Sequence, residues 1–286
     1  MSRGRPEKEQ RRARGGLRTA ALLSVLALAL TADSNLRLVT TEYELTVPNL
    51  PAAFDGLRIV QLSDLHGACF GRENERLAAA VAAAAPDLIV LTGDFIDTAQ
   101  DLPTVHTLCH TLSALAPVYF VSGNHDWASG AIVRLADVLE QTGVTYLRGA
   151  WEVLERGGER LVLCGVEDPN SFAETPGPVE VVARLREEAP DACVLLLAHR
   201  NLLAREMPGL DVDAILCGHA HGGVIRLPFV GGLVSTELTV PAEYECGLYE
   251  TGRYTMLVSR GLGRSGPVPR LLNNPEVVVA TLRCGA

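Results

Sequence analysis

Residues 57–66 read Leu57-Arg58-Ile59-Val60-Gln61-Leu62-Ser63-Asp64-Leu65-His66. A short apolar run bounded by Gly56 and Ser63 is the pattern of a buried strand, and Asp64 and His66 follow directly at its carboxyl end. The unit recurs. The apolar run 88–91 leads to Gly93-Asp94-Phe95-Ile96-Asp97, 118–121 to Gly123-Asn124-His125-Asp126, 194–197 to His199, and 214–217 to Gly218-His219-Ala220-His221. Residues 161–164 form one more such run. Between these strands, helical spacing or composition predicts helices over 73–85, stopped by Pro86, and over 102–115, 131–142 and 179–188. The tail predicts meandering strands at 247–250, 254–259 and 277–282. Alternation of this kind argues an α/β layered fold with crossover helices, whose sites form at strand carboxyl ends.

The chain has 286 residues, 48% of them hydrophobic, enough to bury a sizeable core. Its net charge of −9 is unevenly placed. Residues 1–18 carry seven of the 25 basic side chains and two of the 34 acidic ones, so the remainder stands at −14. A body that acidic weighs against long nucleic acid as a partner, and none is expected, since such binding is driven by phosphate neutralisation. Lys8 is the only lysine, which excludes P-loop, Schiff-base and Ser–Lys chemistry from the body. The apolar run 19–32 follows the basic tail. It suits a signal h-region or a short anchor, being brief for a spanning helix; a buried amino-terminal helix is the alternative. The expected division is residues 1–35 as tail plus signal or anchor, and 36–286 as one domain. The positive-inside rule places that domain on the extracytoplasmic face, membrane-associated or exported, with a cytoplasmic location as the alternative. The seven scattered cysteines read as mostly small core residues rather than a disulfide framework or a zinc site.

Five of the seven histidines fall in the strand-end motifs. Histidine, aspartate and one Asn amide suit first-row divalent metals such as manganese, iron or zinc. Asp64 with His66, and His219 with His221, are spaced so that an extended backbone sends each pair to one face. The donor count suits two metals rather than one. No serine or cysteine nucleophile signature is present.

The series DxH, GDxxD, GNHD, a lone His after an apolar strand, then GHxH resembles the calcineurin-like metallophosphoesterase family, over about residues 55–285. Finer details, including residues 59–66, 218–228 and 259–263, resemble its bacterial membrane-associated or exported phosphodiesterase branch. The resemblance implies a sandwich of two mainly mixed β-sheets flanked by helices. It implies one metal on Asp64, His66 and His221, a second on Asn124, His199 and His219, and Asp94 bridging them. His125 would protonate the leaving oxygen after in-line attack on phosphorus, and Asp97 would orient the His125 ring. The implied activity is a phosphodiesterase or pyrophosphatase on a lipid-linked or cell-envelope phosphate. A nucleotide phosphodiesterase and a metal-containing binding module are the alternatives, and no obligate protein partner is inferred. Asp97 could instead cap a helix, and Asp126 could be a cap or a solvated residue. The family usually has Pro two positions after the lone His; here the run is His199-Arg200-Asn201. Arg200 is a substrate contact or a solvated side chain, Phe70 a groove wall or core, and Trp127 a site neighbour or core. The apolar stretch 227–238 reads as a groove wall, a membrane-facing loop or a hairpin.

Overall fold

A computed structural model describes residues 5–171, 175–233, 243–264, 266 and 268–285. In chain order its helices are α1 (Arg5–Leu36), α2 (Glu75–Ala83), α3 (Leu102–Ser113), α4 (Asn124–Ala128), α5 (Ile132–Gln141), α6 (Pro178–Glu188) and α7 (Leu203–Glu206). Its first strands are β1 (Val39–Val47), β2 (Arg58–Leu62), β3 (Leu88–Thr92), β4 (Val118–Val121), β5 (Val144–Tyr146), β6 (Ala150–Arg156) and β7 (Glu159–Gly165). There follow β8 (Cys193–Leu197), β9 (Ala214–Cys217), β10 (Arg226–Leu227), β11 (Gly231–Gly232), β12 (Gly247–Glu250), β13 (Thr255–Val258) and β14 (Glu276–Cys284).

Two six-stranded mixed sheets face each other, in the orders β1-β14-β2-β3-β4-β5 and β12-β13-β9-β8-β7-β6. Strands β2 to β5 run parallel to one another, as do β7, β8, β9 and β13. The carboxyl ends of β2, β3, β4, β8 and β9 carry the five polar motifs. Strand alternation sorts the core into three layers. Ile59, Val90, Leu163, Leu195 and Leu216 fill the space between the sheets. Val60, Leu62, Ile89 and Leu91 face the other way, onto α2, α3 and α5, while Val162, Cys164, Leu196 and Ile215 pack against α6 and α7. Both faces of each central strand are therefore buried, which is why these strands read as unbroken apolar runs. Cys109, Cys164, Cys193 and Cys217 are buried core thiols, and all seven cysteines are free.

The tail departs from a meander. β12 and β13 form a hairpin at the edge of the second sheet, whereas β14 crosses to the first and inserts between β1 and β2. Residues 150–165, read only in part as strand, form the β6–β7 hairpin around Gly157 and Gly158, both with positive φ. The apolar amino-terminal run is also longer than expected. Within α1, the 22 residues Gly15–Leu36 contain an 18-residue window of mean hydropathy 1.6, none of it buried against the body, so the helix is long and apolar enough to cross a membrane. The helix ends one residue past the expected boundary at 35/36 and is fastened there. Leu272 N donates to Ser34 Oγ (2.7 Å), while Asn35 Nδ2 donates to Arg270 O (2.9 Å) and Arg270 N to Asn35 Oδ1 (3.2 Å). The stretch 227–238 is a hairpin, β10–β11, over its described part; residues 234–238 lie outside the described residues.

Candidate metal centre

The strand-end motifs converge on one buried cluster. Asp64, His66 and His221 bring one donor atom each within 4.8 Å of one another, and Asp94, His199 and His219 do the same. Between the two groups, His66 Nε2 lies 3.7 Å from Asp94 Oδ2, which is itself 3.2 Å from His199 Nε2. Asp94 thus stands at the junction.

The loops that hold these side chains are not extended. Asp64, His66, Asp94, His219 and His221 all have φ between 47° and 68°, in the left-handed region. Their side chains meet because the backbone turns sharply at each strand end, which corrects the expectation of a period-2 arrangement. Glycines make the turns fit. A Cβ on Gly93 (φ 84°) would lie 2.6 Å from Gly123 N and 2.7 Å from His199 Nδ1. Asp126, fully buried, resolves as a cap. Its carboxylate accepts from Gly123 N (2.8 Å), Asp94 N (2.8 Å), Phe95 N (2.8 Å) and Ile96 N (3.0 Å), binding the Gly93 and Gly123 loops together. Trp127 Nε1 donates to Ser122 Oγ (2.8 Å) and to the buried Glu167 (3.2 Å), so it secures α4 from behind.

The donor set fits divalent ions. His66 Nε2 and His221 Nε2 lie 3.2 Å apart, and His199 Nε2 and His219 Nδ1 3.1 Å apart. Ligand atoms sharing an ion at 2.0–2.1 Å stand about 3.0–3.4 Å from one another. Asn124 Oδ1 is buried without a hydrogen-bond partner, an acceptor left free for a cation. His199 Nδ1 donates to Thr92 O (2.8 Å), which turns Nε2 toward the cluster. Burial, with the charges of His199 and Arg200, pushes His219 down to about 2, and burial with His66 and Arg270 holds His221 well below the ordinary value. Both rings therefore favour the neutral form that coordinates, whereas His199, opposed by burial, is raised to about 10 by the charges of Asp94 and Asp64, so an ion there would displace its proton. Burial opposes ionisation of Asp94, but the charge and hydrogen bond of His199 and the charge of His66 hold its carboxyl well below the usual carboxylate range.

His125 stands at the rim, with its side chain 35% exposed. Its Nδ1 lies 2.8 Å from Asp97 Oδ1, and the same oxygen lies 2.7 Å from His66 Nδ1. Asp97 is not the helix cap: Thr98 and Asp101 cap the short turn that precedes α3. Its hydrogen bond raises the pKa of His125. Arg200 is anchored, with 24% of its side chain exposed. Asp168 holds it through two bonds (2.7 and 3.2 Å), and its Nη1 lies 3.2 Å from His219 Nε2. Phe70 is core, 6% exposed and packed in the layer beneath α2 and α3, with only an edge on the pocket wall.

Residues 57–223 match the model of the calcineurin-like phosphoesterases. The chain belongs to that family. It is 31% identical over 250 residues to the metallophosphoesterase YkuE of Bacillus subtilis, covering 85% of each chain. It is 29% identical over 204 residues to the phosphodiesterase YaeI of Escherichia coli, covering 69% of this chain and 70% of that one. A transmembrane protein with a metallophosphoesterase domain from Danio rerio is 27% identical over 256 residues, 85% of this chain and 56% of the relative. This calcineurin-like phosphoesterase is a metal-dependent hydrolase of phosphoesters, and its family is dimetal-dependent. Arg270, Asn273 and Glu167 carried no motif in the sequence. Arg270 Nη2 lies 3.3 Å from His221 Nδ1, and Asn273 Nδ2 donates to His221 O (2.7 Å). Only the fold brings them to the site.

Proposed function

We propose that this chain is a phosphodiesterase or pyrophosphatase acting at a membrane surface on a lipid-linked or cell-envelope phosphate. One observation carries the reading. A pocket of about 380 Å³ opens from His66 and Asp97 and reaches Asn35 and Leu36, the end of the apolar helix α1. The mouth of the site therefore lies beside the point where α1 meets the body. The hairpin β10–β11 adds exposed Leu227, Phe229 and Val230, and Ile225 at its base bridges to Leu271, next to the residue that bonds Ser34. The seven basic residues of 1–18 would stay cytoplasmic, with the body on the other face. In this reading residues 1–35 are an anchor and 36–286 the catalytic domain.

Asp64, His66 and His221 would hold one divalent ion, Asn124, His199 and His219 the other, and Asp94 both. Manganese, iron and zinc all suit these donors. Such ions polarise the phosphoryl oxygens and lower the pKa of bound water. His125 faces the leaving oxygen and donates its proton there. Asp97 accepts the Nδ1 hydrogen of His125, presenting the other ring nitrogen outward in protonated form. Arg200, held by Asp168, adds a fixed cation beside His219 for the phosphoryl group.

The test uses the full chain in nanodiscs, loaded with Mn²⁺. Hydrolysis of bis-p-nitrophenyl phosphate is compared with p-nitrophenyl phosphate, then with a phospholipid diester in the same discs. Faster turnover of the diester than the monoester, and of the embedded substrate than its water-soluble headgroup, is expected. A strict preference for monoesters would refute the diesterase reading, and equal use of embedded and soluble diesters would refute the membrane reading.

A further inference from the structure

The pocket between α1 and the metal cluster is lined by three arginines, Arg76, Arg264 and Arg270. Other arginines around the site each have a carboxylate: Arg200 has Asp168, Arg226 has Glu245, and Arg260 has Glu276. Among the described residues none of the pocket's three is so paired. Arg76 Nη2 donates only to a carbonyl, Leu36 O, at 3.3 Å. Arg270 is 2% exposed; its Nε and Nη2 donate to Gly263 O and Arg260 O, and its Nη1 has no partner. The nearby carboxylates are already engaged, Asp64 in the metal group and Glu276 by Arg260 at 2.7 Å.

Burying a guanidinium without a directly paired carboxylate is costly, even with the charges of Asp64 and Glu276 acting on Arg270 from a distance, and in a body of net −14 three arginines without ion pairs around one cavity run against the general charge. With three guanidinium groups to the one carboxylate of Asp97 in its lining, the cavity carries an excess of positive charge, which concentrates anions. The cavity walls also include His66 and Asp97, so an occupant there adjoins a phosphoryl group at the cluster.

We propose that this pocket is an anion subsite holding a second, non-scissile phosphate of the substrate. The inference rests on the phosphoesterase reading above and names its substrate class: a phosphodiester that bears another phosphate close to the bond that is cut. Arg264 and Arg76, exposed at the rim, make the contacts, and Arg270 sets the potential at the base.

Two chromogenic diesters that differ only in this group test it: thymidine 5′-(p-nitrophenyl phosphate) and its 3′-phosphorylated form. With the full Mn²⁺-loaded chain, the second phosphate is expected to lower KM by about ten-fold or more, the scale of a charge-assisted contact. In Arg264→Gln and Arg76→Gln the ratio of the two KM values falls toward one. A ratio near one in the unaltered chain, or a ratio that survives both substitutions, overturns the proposal. Binding of thymidine 3′,5′-bisphosphate against thymidine 5′-monophosphate, followed by calorimetry, decides the same question without turnover. Failure to cleave either diester would count against the phosphoesterase reading, while equal affinities would count against the subsite. Added inorganic phosphate separates the two sources of the anion. Millimolar phosphate is expected to compete and bring the KM ratio toward one; phosphate bound by calorimetry with an affinity lost in Arg264→Gln, beside a KM ratio already near one without it, assigns the pocket to free phosphate and overturns the proposal.

Discussion

Five candidate ligands sit in left-handed backbone, a conformation that costs roughly 1–2 kcal/mol at each non-glycine residue. Such strain persists only where the surroundings over-determine it, and at Asp94 the carboxylate of Asp126 supplies that constraint. That carboxylate serves four backbone N–H groups. Asp126→Ala leaves them buried without an acceptor and is expected to cost more than about 3 kcal/mol, read as a fall in thermal midpoint; Asp126→Asn, which keeps one oxygen, costs less. An unchanged midpoint in the alanine variant would contradict this role. The residue types of the site were legible because hydroxide-based phosphoryl chemistry needs no nucleophilic side chain, only histidines and carboxylates at strand ends. The backbone that aims them was not. Spacing suggests an extended Asp64–His66 segment, whereas left-handed geometry is invisible in residue type when the residue is not glycine. In the proposed mechanism His125 sets the pH dependence. Its raised pKa keeps the acid form populated above the ordinary histidine range, so turnover falls as pH rises through that raised value. Removing the Asp97 charge lowers the pKa, and Asp97→Asn is expected to move the alkaline limb to lower pH. His125→Ala is expected to keep its metal content and lose about 10²–10⁴-fold in turnover; full activity in that variant removes the acid role.

At the scale of elements, the central strands were readable because both faces of each are buried. Short or edge elements were not: β5, β6 and α4 are too brief or too polar to show a period. β14 has the composition of any buried strand, and nothing in it announces that it enters the first sheet rather than continuing the second. The junction of α1 with the body was equally hidden, since it depends on Ser34 and Asn35, two ordinary polar residues at the end of an apolar run. Their partners lie in residues 270–273, the same segment that bonds His221 through Arg270 and Asn273. The last turn of the helix is thereby part of the scaffold of one metal group. Asn35→Ala in the full chain is expected to weaken retention of one ion and spare the other, measured by metal content against increasing chelator. Loss of neither would separate the helix from the centre.

For the whole molecule, the two sheets act as one frame because polar bonds cross between them where the site forms. Gln61 Nε2 on β2 donates to Thr92 Oγ1 on β3 (3.0 Å) and to Cys217 O on β9 in the opposite sheet (2.8 Å). The end of α1, the pocket and the base of the β10–β11 hairpin all contact residues 270–272, and in the proposed reading this turns the mouth toward the surface that α1 enters. Phe229→Ser is expected to raise KM for a vesicle-embedded diester while leaving KM for bis-p-nitrophenyl phosphate as it was; equal effects on both would show the tip acting within the fold instead. The central claim is that Asp94 joins two ion sites in one catalytic centre. Metal analysis of the full chain beside Asp94→Asn, with Mn²⁺-dependent diester hydrolysis followed in both, tests it most directly. The account predicts two ions per chain and activity in the unaltered protein, and at least one ion lost with activity in the variant. Two tightly held ions in Asp94→Asn, or none in the unaltered chain, would contradict it.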